Sequence, residues 1–183
     1  YWYQQAADQE YGAAQTLLGL MYANGRGVLR DDQKAIYWYQ KAANQGNKKG
    51  QYLLGLMYAS GNGVTHDDEK AVYWYRKAAT QDSVPAQFFL AISYVSGRGV
   101  RQDDQQAAYW FERAADQGDE KAQFLLGSMY ELGRGVVRAT GTVVRRALDF
   151  IALAGQRLFF LQVKAQAFFN FLALVKAPDA CGN

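Results

Sequence analysis

Hydrophobic and polar positions return along the chain with a period of 36 residues. The apolar run "LLGLMY" at 17–22 recurs as "LLGLMY" at 53–58, "FLAISY" at 89–94 and "LLGSMY" at 125–130, and each copy is followed two residues later by Gly-x-Gly-Val. A second run keeps the same step: "YWYQQAA" at 1–7, "YWYQKAA" at 37–43, "YWYRKAA" at 73–79 and "YWFERAA" at 109–115. All four tryptophans, Trp2, Trp38, Trp74 and Trp110, therefore stand 36 residues apart. Apolar positions inside each run fall at helical spacing, so each unit reads as two helices. The first spans roughly 11–23 and stops at Gly25-x-Gly27, where glycine suits the left-handed conformation that ends helices. The second starts at Asp31-Asp32, repeated as Asp67-Asp68 and Asp103-Asp104; one aspartate caps the free N–H groups and the other complements the helix dipole. Two short helices cannot bury their apolar faces alone, so neighbouring units must stack. The expected fold is all-α, an array of antiparallel helix pairs.

Three consecutive aromatics cannot share one helix face, because each residue turns the helix by about 100°. With Ala35 as reference, Trp38, Tyr39, Ala42, Ala43 and Ile36 form one apolar arc, whereas Tyr37 falls among Gln33, Lys34, Gln40 and Lys41. Trp38 and Tyr39 are thus expected in the core. Tyr37 and its equivalents Tyr1, Tyr73 and Tyr109 are expected outside, shielding a lysine stem or a neighbouring repeat. In the first helix Leu17, Leu18, Met21 and Tyr22 make the core arc, and Gly19 permits a close crossing.

The motif A-x-x-W-Y-x-K-A-A, seen at 35–43, and L-G-x-x-Y-x-x-G-x-G-V, seen at 18–28, followed by aspartate, resemble Sel-one-like repeats, a relative of the tetratricopeptide repeat. The resemblance covers about residues 1–137. It implies a right-handed α-solenoid superhelix acting as an adaptor for other proteins, with the first helices lining the concave side. Family members of bacteria work in the envelope or against a host cell, which points to an envelope or secreted location. Cysteine-rich relatives bind or hydrolyse β-lactams and carry a disulfide in each repeat, whereas Cys181 is the single cysteine here.

Opposite the first-helix core arc lie Thr16, Leu20 and Ala23, then Tyr52, Leu56 and Ala59, Phe88, Ile92 and Val95, and Phe124, Ser128 and Glu131. A solvated face should be polar, yet the middle copies are aromatic and aliphatic. Two readings stay open: stacking buries this side, or it forms a groove for a partner peptide or helix. The candidate partner-binding residues are Thr16, Leu20, Tyr52, Leu56, Phe88, Ile92, Phe124 and Ser128.

Nothing in the pattern suggests catalysis. His66, the only histidine, sits in a loop beside Asp67 and Asp68, and the paired aspartates are explained by capping. The Gly-x-Gly loops follow helices rather than strands and lack the Lys-Ser/Thr of a phosphate loop. Ser60, Ser93 and Ser96 have no histidine partner. No enzyme activity, cofactor or metal is expected. The leading function is a protein-binding scaffold. The alternatives are binding or hydrolysis of β-lactam or cell-wall fragments, as in the cysteine-rich relatives, and a nucleic-acid-binding helical array.

Charge disfavours the last alternative. Residues 1–133 carry 13 Lys and Arg against 15 Asp and Glu, and residues 134–183 seven against two, so the formal +3 divides into −2 and +5. Nucleic-acid binders carry their basic stripe on the main fold. The chain begins in mid-repeat, as a fragment lacking its true N-terminus would. After Val137 the repeat letters lapse. Residues 1–138 are assigned to the array of about four units. Residues 139–183 are assigned to a divergent last helix around Ala147, Phe150, Ile151 and Ala154 and an apolar capping helix along 158–175. Gln162, Lys164, Gln166 and Asn170 interrupt that apolar run, so it does not read as a membrane span. Its wide apolar arc suggests self-association, a partner helix or a membrane-surface contact; a changed reading frame would produce the same loss of pattern.

Overall fold

The computed structural model describes residues 2–135, which form eight helices and, among those residues, no strand. In order they are α1 (Trp2–Asp8), α2 (Gly12–Asn24), α3 (Asp32–Asn44), α4 (Lys48–Ser60), α5 (Asp68–Ala79), α6 (Val84–Ser96), α7 (Asp104–Asp116) and α8 (Glu120–Glu131). The even-numbered helices are the first helices of successive repeats and the odd-numbered ones the second helices. Each packs on its neighbours in sequence, which makes the fold a solenoid of helix repeats. The divergent helix, the capping helix and the self-association expected of 139–183 lie outside the described residues.

The second helices begin as expected. The Asp31 carboxylate accepts from the Lys34 N–H, Asp67 from that of Lys70, and Asp103 from those of Gln105 and Gln106. Such a cap contributes about 1 kcal/mol. The Lys34 N–H, more than any other group, holds the Asp31 carboxyl below its usual range. For Asp67 the Lys70 ammonium does most of this and the Lys70 N–H adds to it. First helices α2, α4 and α6 end on Gly25, Gly61 and Gly97, at φ of 65°, 70° and 72°, whose N–H groups donate to Met21, Met57 and Ser93 carbonyls.

The second glycine of each loop has a different job. A Cβ on Gly99 would run into the Asp68 carbonyl, and one on Gly135 into that of Asp104. The Gly-x-Gly loop of one repeat thus sits directly on the start of the preceding second helix. The intervening arginine closes the joint: Arg98 Nε lies 3.1 Å from Asp68 Oδ2, and Arg134 grips Asp104 with two bonds of 2.9 Å. The second aspartate therefore does more than complement a dipole; it receives an arginine from 30 residues downstream. At the joint between the α2–α3 repeat and the α4–α5 repeat the arginine is replaced by Asn62, and Asp32 pairs with Arg30 of its own loop at 2.9 Å.

Tyr39, Tyr75 and Phe111 are buried beneath the first helices of their repeats. Gly19 and Gly55 make room for them: an added Cβ would lie 2.5 Å from the Tyr39 ring and 2.6 Å from the Tyr75 ring. Trp38, Trp74 and Trp110 are buried as well, whereas Trp2 is 78% exposed. Burial of one such side chain contributes on the order of 2–3 kcal/mol. A row of glutamines completes the joints. The side-chain amides of Gln15, Gln51, Gln87 and Gln123 donate to the carbonyls of Ala7, Ala43, Ala79 and Ala115, near the end of each preceding second helix. Gln81 and Gln117 donate in turn to Gln51 and Gln87 at 2.8 Å. These glutamines also keep the 36-residue step, the one signal in the chain that marks their role.

Candidate protein-interaction face

Successive first helices present corresponding stripes. In α4 the stripe is Lys49, Tyr52, Leu56 and Ser60; in α6 Pro85, Phe88, Ile92 and Ser96; in α8 Lys121, Phe124 and Ser128, continued by Leu132 just past its end. Steps of three and four residues keep each set on one side of its helix. Lys49, Ser60, Pro85, Lys121, Phe124 and Leu132 are exposed, and the apolar groups between them are half-buried. The aromatics lie on the seams between helices. The Tyr52 ring lies 6.3 Å from Tyr75 and 5.9 Å from Phe89 of the next repeat. Phe88 lies 5.8 Å from Phe111 and 5.5 Å from Phe89. Stacking therefore covers one edge of these rings and leaves the other in contact with solvent. Burial also raises the pKa of the Tyr52 phenol.

Of the eight residues predicted for this face, Tyr52, Leu56, Phe88, Ile92 and Ser128 are half-buried on it and Phe124 is exposed. Leu20 lines a cleft of about 400 Å³ together with Tyr3, Leu17, Met21, Asn24 and Arg26. Thr16 is a correction. It is only 2% exposed, and its hydroxyl has its one proton to share between the Gly12 carbonyl at 2.9 Å and Asn47 Oδ1 at 3.2 Å. A small residue at this position sinks under the cap of the next first helix, where Tyr or Phe would protrude. The position of Leu17 is a second correction. Leu17 is 40% exposed, and its equivalents Leu53, Phe89 and Leu125 are half-buried beside the stripe rather than in the core.

The opposite side of the array looks different. Tyr37, Tyr73 and Tyr109 are exposed, and each has a cation over its ring: Lys41 at 5.0 Å, Lys77 at 4.8 Å and the Arg113 guanidinium at 5.9 Å. The lysine-shielding expected of these tyrosines is present. A hydrogen bond to the Tyr37 phenol raises the pKa of the Lys41 ammonium. A cation thus occupies one face of each of these rings.

His66 Nε2 lies 3.2 Å from Asp68 Oδ1 and 3.4 Å from Arg98, so it belongs to the joint between repeats. Among the described residues no three potential ligands gather as a metal site would need. No helix of the described residues is long and apolar enough to cross a membrane.

A family model described as Sel1 repeat matches residues 1–11, 12–47, 48–83, 84–119 and 120–155. Among solved structures, the chain is similar to a Sel1 repeat protein from Oxalobacter formigenes: 36% identity, TM-score 0.73, covering 81% of this chain and 60% of that one. It is similar also to c5321, a protective antigen present in uropathogenic Escherichia coli strains that displays an SLR fold: 37% identity, TM-score 0.78, covering 92% of this chain and 36% of that one. Cysteine rich protein B of Helicobacter pylori is a more distant likeness: 27% identity, TM-score 0.55, covering 68% of this chain and 94% of that one. The chain thus spans less than two thirds of the first two proteins. No curated protein sequence matches it.

Proposed function

The chain belongs to the Sel1 repeat family, whose members are generally non-enzymatic protein-interaction scaffolds, and from that premise we propose that it holds a peptide or helix of a partner protein against its first-helix face. The contact residues of this reading are Leu20, Tyr52, Leu56, Phe88, Ile92, Phe124 and Ser128. One observation carries it: half-buried or exposed apolar side chains stand at the same stripe position in α4, α6 and α8, on elements held rigidly by the joints between repeats. Binding hot spots are commonly aromatic groups of this kind, already partly desolvated and fixed in place. The other long face is a poorer candidate, because Lys41, Lys77 and Arg113 cover its tyrosine rings.

The test is capture of partners from a cell extract by immobilised protein. Tyr52→Ala combined with Phe88→Ala is expected to lower recovery more than about tenfold, since truncating one hot-spot aromatic costs about 2 kcal/mol. Tyr37→Ala combined with Tyr73→Ala is expected to leave recovery unchanged. Helicity by circular dichroism must be retained in both. The reading fails if folded Tyr52→Ala/Phe88→Ala protein recovers the same partners as wild type.

A further inference from the structure

The stripes that carry the apolar groups also carry charge, and only at one end. Lys49 begins the α4 stripe and Lys121 the α8 stripe, each three residues before the aromatic, with Pro85 at the corresponding place in α6. Both lysines are exposed, and neither makes an ion pair within the described residues. Several other cations of the array are engaged. Lys34, Lys70, Arg98, Arg113 and Arg134 are paired with aspartates, and Lys41 and Lys77 lie on tyrosine rings. The acids nearest Lys121 are already engaged: Asp119 caps α8 and Glu120 has a partner. At the far end of the stripes stand Asn24, Ser60, Ser96 and Leu132, where Arg26 and Glu131 offset each other in charge. The stripe positions themselves therefore carry two positive charges along one edge and no charge along the other.

We propose that the partner segment is acidic on one edge, its apolar side chains resting on the stripes and its carboxylates lying over Lys49 and Lys121. This rests on the reading that the first-helix face is the binding face, and it adds the chemistry and the orientation of what binds there.

Selection of a displayed random 18-residue peptide library on the purified protein tests the proposal. Enriched sequences should combine apolar residues with Asp or Glu. Selection on Lys49→Glu/Lys121→Glu should enrich Lys or Arg instead. An individual acidic peptide should lose about three- to tenfold in affinity on that variant, the scale of one or two exposed ion pairs, and nothing on Arg101→Glu, a charge reversal in a loop away from the stripes. Both reversals put acid at or near the start of a helix, where the dipole favours it, so folding is retained. Peptides that bind wild type and Lys49→Glu/Lys121→Glu equally overturn the acidic partner. If they still respond to Tyr52→Ala/Phe88→Ala, the binding face itself survives. Peptides that ignore Tyr52→Ala/Phe88→Ala, or no enrichment on either protein, overturn both readings. Retention of a single-stranded oligonucleotide that depends on Lys49 and Lys121, with no acidic peptide enriched, also overturns the acidic partner.

Discussion

Gly99→Ala is expected to destabilise the array by about 3 kcal/mol, whereas Gly46→Ala costs only about 1 kcal/mol. Both glycines have positive φ, 66° and 83°, so both substitutions meet the same left-handed penalty of roughly 1–2 kcal/mol. They differ in what surrounds them. A Cβ on Gly46 meets nothing within 4 Å, while one on Gly99 collides with the backbone of Asp68 and Glu69. No rotamer change relieves that collision. The loop must lift, and the Arg98–Asp68 pair is lost with it. Chemical denaturation of the two variants separates backbone strain from close approach. Equal losses would mean that the loop does not hold the joint between repeats.

The second large effect is alkaline unfolding. Burial pushes the Tyr39 phenol up to about 12, and the Asp32 carboxylate adds to the rise. Tyr75 is raised for the same reason, with Tyr52 and Asp68 adding to it. A tyrosine in the unfolded chain titrates near pH 10. The folded protein therefore keeps these protons after the unfolded chain has released them. The stability they contribute is full below about pH 10 and is lost as pH rises toward 12. For Tyr39 alone the difference between the folded and unfolded chains amounts to about 3 kcal/mol. Urea melts at pH 8 and pH 12 should show that loss, and Tyr39→Phe/Tyr75→Phe should show much less of it. The Tyr75 hydroxyl is buried with no hydrogen-bond partner among the described residues, so removing it should raise stability at pH 8 by about 1 kcal/mol. Phe111 already occupies the equivalent site in the next repeat. A double variant that loses as much as wild type on going to pH 12 would assign the effect to the lysines instead.

Much of this fold is legible in the letters because its determinants are local. The aspartate caps, the terminal glycines and the arc of Trp38, Tyr39 and Ala42 need only one helix and its neighbours in sequence to be read. What escapes reading depends on the next repeat. Thr16 lies opposite the core arc on its own helix but is sealed by Asn47, 31 residues later. Leu17 reads as core on a single helix, yet its counterpart Phe89 proves to be where Tyr52 of the previous repeat meets the seam. Asp68 can be placed near a helix start from the letters; its partner Arg98 cannot be inferred without the stacking geometry. A glutamine on a helix ordinarily signals a solvated face, which hides the part played by Gln51 and Gln87, both buried and bonded on both sides. The face proposed for partners belongs to the same class, since its openness is set by how far one first helix covers the next.

Hydroxyl-radical footprinting of side chains, with and without a captured partner, addresses that face most directly. Binding as proposed here protects Tyr52, Phe88 and Phe124 and leaves Tyr37, Tyr73 and Tyr109 as reactive as in the free protein. Protection of Tyr37, Tyr73 and Tyr109 with the first-helix aromatics unchanged would contradict it.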